Sequence, residues 1–117
     1  MGLFANVNVN ASTDRVSMYS TGNVFSKYGI TTREIYIKTT DNASDQHVYV
    51  RYEFLNGQEW QDEEATYVTT LDDGSKIWRA SFNSYSAKYV IKYVADGQTY
   101  WANNFGQNYD SSYWVHR

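Results

Sequence analysis

With 117 residues, the chain is long enough for one hydrophobic core and too short for two, so a single domain over residues 1–117 is expected. The net charge of −3 argues against a nucleic-acid-binding protein, because phosphate binding requires a basic surface. The absence of cysteine excludes disulfides, thiolate zinc sites and cysteine nucleophiles. No apolar run reaches the roughly 18 residues of a membrane span. The first ten residues lack the basic and apolar regions of a signal peptide, so a secretion signal, if there is one, is expected outside this sequence.

Alternation of apolar and polar residues predicts β-strands along the whole chain. The clearest case is residues 47–54, where valine and aromatic side chains share one face and Tyr49 and Arg51 lie on the other. No stretch shows the helical spacing of apolar residues over eleven positions, although residues 62–65 are compatible with one turn of helix. In chain order the predicted strands are 4–9, 16–19, 33–38, 47–54, 66–70, 76–82, 87–95, 99–101 and 113–115.

Polar turns separate these strands. Asn56-Gly57 and Asp96-Gly97 are typical of tight hairpins, because both residue types tolerate positive φ. Residues 72–74 predict a further turn, and residues 41–45 a polar loop. Short strands at this spacing predict an all-β fold, specifically an immunoglobulin-like antiparallel β-sandwich of about eight strands.

Residues 100–109, Y-W-A-N-N-F-G-Q-N-Y, carry the strongest functional signal. Aromatic rings can cover the apolar C–H side of a sugar, while neutral amides form hydrogen bonds with its hydroxyl groups. Adjacent strand residues point to opposite faces, so only one of Tyr100 and Trp101 is expected to reach a surface site if they lie in a strand. The run therefore indicates a carbohydrate site built from Tyr100, Trp101, Asn103, Asn104, Gln107 and Asn108.

The same run resembles the W-D-N-N-x-G-x-N-Y signature of carbohydrate-binding module family 21, which includes starch-binding domains of fungal glucoamylases and glycogen-targeting subunits of protein phosphatase 1. Residues 34–38 and 48–52, followed by a turn and Trp60, are similar to the paired strands that lead to the family's loop tryptophan. Residues 88–93 are similar to its F-x-I-K-Y strand before the Asp-Gly hairpin. The resemblance implies a β-sandwich that binds α-glucans without cleaving them.

The resemblance also implies roles for individual residues. Trp60 matches the loop tryptophan of the main sugar site, and Trp101 matches the aromatic residue that opens the signature. These two rings are expected to form a platform for neighbouring glucose units, with Asn103, Asn104 and Asn108 as hydrogen-bonding amides. Tyr67 is a possible second-site residue. Ala102 replaces an aspartate, and Val90 replaces a tyrosine of some starch-binding members, so the platform is expected to be narrower or to be completed by another ring, such as Tyr100.

The expected partner is starch, glycogen or a maltooligosaccharide, and the expected parent is a larger enzyme or surface complex, extracellular or, if glycogen-targeting, intracellular. No catalytic residue, metal or cofactor is expected. A protein-interaction β-sandwich is the alternative and would show an exposed apolar patch. The carboxylates of Asp62, Glu63 and Glu64 would suit a glycoside hydrolase, but adjacent surface acids are more often a solvated face. Asp41, Asn42 and Asp45 offer oxygen ligands for calcium without the spacing of a known motif.

Overall fold

The computed structural model describes residues 15–24, 31–55, 59–84, 88–102 and 109–110, and every regular element in them is a β-strand. Within these ranges no helix is long and apolar enough to cross a membrane. The strands are β1 (Val16–Val24), β2 (Thr31–Thr39), β3 (Gln46–Glu53), β4 (Trp60–Glu64), β5 (Thr66–Thr70), β6 (Lys76–Ser84), β7 (Lys88–Ala95), β8 (Gln98–Ala102) and β9 (Tyr109–Asp110).

The strands form two antiparallel sheets. The four-stranded sheet has the order β1-β2-β6-β5, and the five-stranded sheet has the order β4-β3-β7, with β8 and β9 both pairing along the far edge of β7. This architecture confirms the predicted antiparallel β-sandwich. The predicted strands at 4–9 and 113–115 and the turn at 56–57 lie outside the described residues.

The core consists of the inward-facing side chains of both sheets. Alternation places Val48 and Val50 of β3 and Ile91 of β7 on the inner face of the five-stranded sheet, each with no exposed surface. Ile35 and Ile37 of β2 face them from the other sheet, also fully buried. The period-two pattern seen in the sequence therefore reflects two half-buried sheets packed face to face.

The chain changes sheets at Ala65, between β4 and β5. Ala65 is buried, and its backbone N–H donates to the Val48 carbonyl at 2.7 Å, which fixes the crossing point against β3. Both β4 and β5 are consequently edge strands, one in each sheet. The helical turn considered for residues 62–65 is wrong, because strand pairing with β3 uses the backbone groups of β4 and overrides a weak local preference.

Two predicted turns are confirmed. Asp96 and Gly97 have φ values of 50° and 83°, the left-handed pair required by a two-residue hairpin between β7 and β8. Gly74 has a φ of 89°, and its N–H donates to the Leu71 carbonyl at 2.9 Å. The Asp96 carboxylate also accepts backbone N–H groups of Ser44 and Asp45, so the hairpin holds the loop between β2 and β3.

A polar network closes this end of the core. The fully buried Tyr93 donates its hydroxyl hydrogen to Asp41 and accepts a hydrogen bond from the Gln46 amide at 2.7 Å. Lys76 in turn donates to Gln46 Oε1 at 2.6 Å, and Arg15 pairs with Asp41 at 3.2 Å. Burial, with the Asp41 hydrogen bond, raises the pKa of Tyr93 well above its usual range. The Lys76–Gln46 hydrogen bond joins the two sheets, and Tyr93 connects this pair to Asp41 in the loop between β2 and β3.

Candidate functional site

The outer face of the five-stranded sheet carries the aromatic and charged side chains that the core excludes. Directly paired residues of antiparallel strands project to the same side, so the register identifies this surface. We call it the outer face. Its described members are His47, Tyr49, Arg51, Glu53, Trp60, Asp62, Glu64, Lys88, Val90, Lys92, Val94, Thr99 and Trp101.

Trp60 is the first residue of β4 and lies opposite Glu53 of β3. Its side chain is half-buried. The sequence assigned Trp60 to a loop, and the structure places it at a strand end instead, because β4 starts pairing with β3 at this residue. A strand end gives the indole a more fixed position than a loop would.

Trp101 lies in β8 and pairs with Lys92 of β7, which puts it on the same outer face as Trp60. Its neighbour Tyr100 pairs with the buried Tyr93 and packs against the core, with their ring centroids 6.2 Å apart. The Arg15 guanidinium lies over the Tyr100 ring, 4.7 Å from its centroid. The structure therefore brings Trp60 and Trp101 to one surface and places Tyr100 on the opposite side of β8.

The two indoles stand apart across the sheet. Trp101, Lys92, Tyr49 and Glu64 form one row of paired residues across β8, β7, β3 and β4. Glu64 is the last residue of β4, and Trp60 is the first. Three strand spacings and four residues along β4 separate their Cα atoms by about 20 Å. This span is wider than the pair of neighbouring glucose units expected from the sequence. A ligand that contacts both rings needs several sugar units.

A charged cluster occupies the surface between the two indoles. Asp62 of β4 accepts hydrogen bonds from Arg51 at 2.8 Å and from Lys92 at 3.0 Å. Partial burial alone would raise the pKa of Asp62, but the hydrogen bonds and charges of Lys92 and Arg51 outweigh it and lower the pKa. Asp62 therefore stays ionised to a lower pH than a free aspartate.

This cluster predicts a specific dependence of stability on pH. Because the pKa of Asp62 is lowered on folding, its contribution is complete above the unfolded value of about 3.9 and is lost as the pH falls below it. Asp62→Asn is expected to lower the free energy of unfolding at pH 7 by less than about 1 kcal/mol, since the pairs are partly exposed. Urea unfolding at pH 7 and pH 3 measures this difference. An equal difference in the free energy of unfolding between the wild type and Asp62→Asn at both pH values would contradict this prediction.

A second polar group of the outer face lies where β3 begins and β4 ends. His47 contacts Glu64 at 3.2 Å through Nδ1 and Asp45 at 3.0 Å through Nε2. The hydrogen bond with Glu64, followed by the charge of Asp45, raises the pKa of His47. His47 and Glu64 thus connect β3 to the edge strand β4 when the histidine is protonated.

Tyr67, the possible second-site residue, lies elsewhere. It is in edge strand β5 of the four-stranded sheet, 54 % exposed, and its ring meets Trp78 edge-on with centroids 5.9 Å apart. Trp78 packs against the core and donates its indole N–H to Thr39 at 2.9 Å. Tyr67 is therefore not part of the outer face. The predicted amide residues Asn103, Asn104, Gln107 and Asn108 lie outside the described residues.

The acidic residues considered for other chemistry have internal partners. Asp41 is engaged by Arg15, Gln46 and Tyr93, and Asp45 by His47. In the part of the chain that the structure describes, no group of three or more histidine, aspartate or glutamate side chains is placed to hold a metal ion.

No family model matches the chain, and no curated protein matches it in sequence. Solved structures do match. The starch-binding domain of Rhizopus oryzae glucoamylase, solved in complex with β-cyclodextrin and maltoheptaose, aligns with a TM-score of 0.67 and 23 % identity over 91 % of this chain and 97 % of that one. The carbohydrate-binding module of the muscle glycogen-targeting subunit of protein phosphatase 1 aligns with a TM-score of 0.59 and 25 % identity, over 82 % of this chain and 73 % of that one.

The chain has the fold of a carbohydrate-binding module. The resemblance to family 21 that residues 100–109 suggested is thereby confirmed at the level of the fold, over most of the chain. Both neighbours are modules of larger proteins by their descriptions, and one of them was solved with α-glucan ligands.

Sequence reasoning did not select the side chains between the two indoles. Tyr49, Arg51 and Lys92 lie on the outer face and contact one another or Asp62. Alternation in residues 47–54 did place Tyr49 outward, but it could not show that β3 lies between the strands that carry Trp60 and Trp101. That information comes from the strand order.

Proposed function

We propose that this protein is a non-catalytic module that binds α-1,4-linked glucan on the outer face of its five-stranded sheet. The observation that carries the proposal is the presence of Trp60 and Trp101 on one surface of a carbohydrate-binding-module fold. Indole rings provide apolar area for the C–H faces of glucose units. One neighbour was solved in complex with β-cyclodextrin and maltoheptaose, and the other is the carbohydrate-binding module of a glycogen-targeting subunit, which supports this ligand class.

The charge distribution of the outer face favours an uncharged ligand. Asp62 is neutralised by Arg51 and Lys92, and Glu64 lies against His47. A surface whose charges are paired within itself offers no net field to attract a sulfated or uronic polysaccharide. Starch and glycogen are neutral polymers that such a face accommodates.

The span between the indoles favours a ligand longer than a disaccharide. Because about 20 Å separates the two Cα atoms, one α-1,4 chain running obliquely over β7 and β3 would contact both rings. Four amide residues follow Trp101 in the sequence: Asn103, Asn104, Gln107 and Asn108. We assign their amides to hydrogen bonds with hydroxyl groups at the end of the glucan that lies near Trp101. Tyr100, on the inner side of β8, packs against Tyr93 and so anchors the strand that carries Trp101.

Tethering to a larger enzyme or complex follows from the weak affinity expected of such a face. Linking a weak module to a catalytic or targeting partner raises its effective concentration at the polymer. We propose an extracellular or cell-surface amylase-associated setting, with an intracellular glycogen-targeting role as the second possibility. The comparison with a glucoamylase domain and with a glycogen-targeting subunit supports both settings.

The protein-interaction alternative gains no support from the exposed apolar side chains. Tyr19 lies on β1 and the adjacent Tyr67 and Val68 lie on β5, the opposite edges of the four-stranded sheet, and Leu55 follows β3 of the other sheet. Within the described residues the exposed apolar side chains thus lie in three separate places, one of them a pair of neighbours, whereas a protein-docking surface needs a large contiguous patch.

Affinity electrophoresis with a panel of polysaccharides tests the proposed function. We expect starch and glycogen in the gel to retard the protein, and xylan, cellulose derivatives and sulfated glycans to leave its mobility unchanged. A reducing-sugar assay on the same samples is expected to show no release. Equal mobility in all gels would contradict the proposal, and sugar release from starch would contradict its non-catalytic part.

A further inference from the structure

Tyr49 stands between the two indoles on the outer face. It lies in β3, which is flanked by β7 and β4, and its cross-strand partners are Lys92 and Glu64. Trp101 is on the far side of Lys92 at the same level. The described residues of the outer face include three large aromatic side chains, Trp60, Trp101 and Tyr49, besides the imidazole of His47.

The Tyr49 ring is held in place by the same side chain that fixes Asp62. The Lys92 ammonium lies 4.8 Å from the ring centroid and 3.0 Å from Asp62 Oδ2. His47 lies alongside the ring, with centroids 6.5 Å apart and planes 21° apart. A ring held by His47 of its own strand and by Lys92 of β7, and still half exposed, loses little freedom when a ligand covers it.

The Asp62 carboxylate adds hydrogen-bonding capacity beside the ring. Each of its oxygens accepts one hydrogen bond, from Arg51 or from Lys92, and an ionised carboxylate has about four acceptor positions. The remaining positions suit adjacent hydroxyl groups of a sugar. Bonds to an ionised acceptor are stronger than those between neutral groups.

We propose that Tyr49, Lys92 and Asp62 form a central subsite that contacts the glucose units lying between Trp60 and Trp101. This inference rests on the proposed function and adds a third ring to the platform, for which the sequence suggested Tyr100 as an example. Val90, two residues before Lys92 on the same face, is too small to fill that space, so the ring comes from the neighbouring strand β3. The central subsite makes affinity depend on chain length, because only an oligosaccharide that reaches past one indole can contact it.

The test is an NMR titration of the protein with maltotriose and with maltoheptaose. Tyr49→Ala is expected to weaken maltoheptaose binding about tenfold and to change maltotriose binding less than twofold, since the shorter sugar can bind at one indole alone. Tyr49→Phe, which keeps the ring, is expected to stay within twofold of the wild type for both sugars. Tyr49→Leu, which keeps the apolar bulk of a strand residue but not the flat ring, is expected to behave like Tyr49→Ala and serves if the alanine variant fails to fold.

Tyr36→Ala is the matched control. Tyr36 is also a half-buried outward tyrosine of a central strand, β2, but it lies on the four-stranded sheet and therefore on the other side of the molecule. It is expected to leave both affinities unchanged. Maltoheptaose binding by Tyr49→Ala or Tyr49→Leu within twofold of the wild type, or an equal loss in Tyr36→Ala, would overturn the central subsite while leaving the proposed function intact. Failure of the wild-type protein to bind either sugar would overturn both.

Discussion

Trp101→Ala and Trp60→Ala are each expected to abolish retention of the protein on insoluble starch. Two rings that cover on the order of 100 Å² of apolar sugar surface contribute roughly 2.5 kcal/mol, and a few exposed hydrogen bonds add about 1 kcal/mol each. The net binding free energy is then about 5 to 6 kcal/mol, which corresponds to a dissociation constant of about 0.1 mM. Removing one indole is expected to raise that constant at least about tenfold, beyond the range in which a single module is retained.

Starch pull-down of the two variants, followed by titration with maltoheptaose, measures this loss. Circular dichroism is expected to show that both variants remain folded, because each indole is only half-buried on the outer face. Trp78→Phe is the control: Trp78 packs against the core from the four-stranded sheet, and its replacement is expected to leave starch retention unchanged. Wild-type retention by both outer-face variants would contradict the assignment of the binding surface.

Tyr93→Ala is expected to lower the free energy of unfolding by about 3 to 5 kcal/mol, in the range typical of truncating a large buried aromatic side chain. The Tyr93 side chain is fully buried, so its loss leaves a cavity between the sheets. The variant also removes the hydroxyl that joins Asp41 to Gln46. With a native stability of about 5 to 15 kcal/mol, such a loss removes a large part of the total.

Tyr93→Phe separates the two contributions. It keeps the ring and removes only the hydroxyl, so the expected loss is about 1 to 2 kcal/mol, because Asp41 keeps its bonds to Arg15 and Gln46. Urea denaturation of the wild type and both variants gives the three values. The folded Tyr93→Phe protein is expected to bind starch normally, since Tyr93 faces the core. A phenylalanine variant as stable as the wild type would show that the hydroxyl network contributes nothing.

The sequence predicted the strands in which apolar and polar residues alternate. It missed β4, which is a strand because its backbone pairs with β3. Residues 47–54 and 87–95 alternate clearly, and β3 and β7 lie within one residue of those limits. The segment Trp60–Glu64 has no alternating apolar residues, so its strand state depends on pairing with β3 after the chain has folded. A local pattern cannot reveal a partner that is distant in the sequence.

The candidate site was predictable in its chemistry and not in its dimensions. The two tryptophans could be selected from neighbouring amides and from a family resemblance, and the opposite orientations of Tyr100 and Trp101 follow from strand geometry. Their separation depends on the two strands, β7 and β3, that lie between β8 and β4. For the same reason the sequence offered Tyr100 as the additional ring, whereas the strand order places Tyr49 on the shared face.

The polar groups between the indoles illustrate why charge runs are hard to interpret from sequence alone. Asp62, Glu63 and Glu64 are consecutive, yet their surroundings differ because a strand alternates its side chains. Asp62 pairs with Arg51 and Lys92, Glu64 with His47, and Glu63 lies opposite the buried Val50. The interpretation of the run as a solvated face is confirmed for the exposed Asp62 and Glu64, which also pair with basic neighbours, whereas Glu63 is half-buried.

The most direct test of the account is a two-dimensional NMR titration with maltoheptaose that follows the indole N–H signals of the tryptophans. We expect the signals of Trp60 and Trp101 to shift together along one saturable curve, and the signal of Trp78, which donates to Thr39 on the other sheet, to stay in place. Shifts confined to Trp78, or saturation without movement of Trp60 and Trp101, would contradict binding on the outer face.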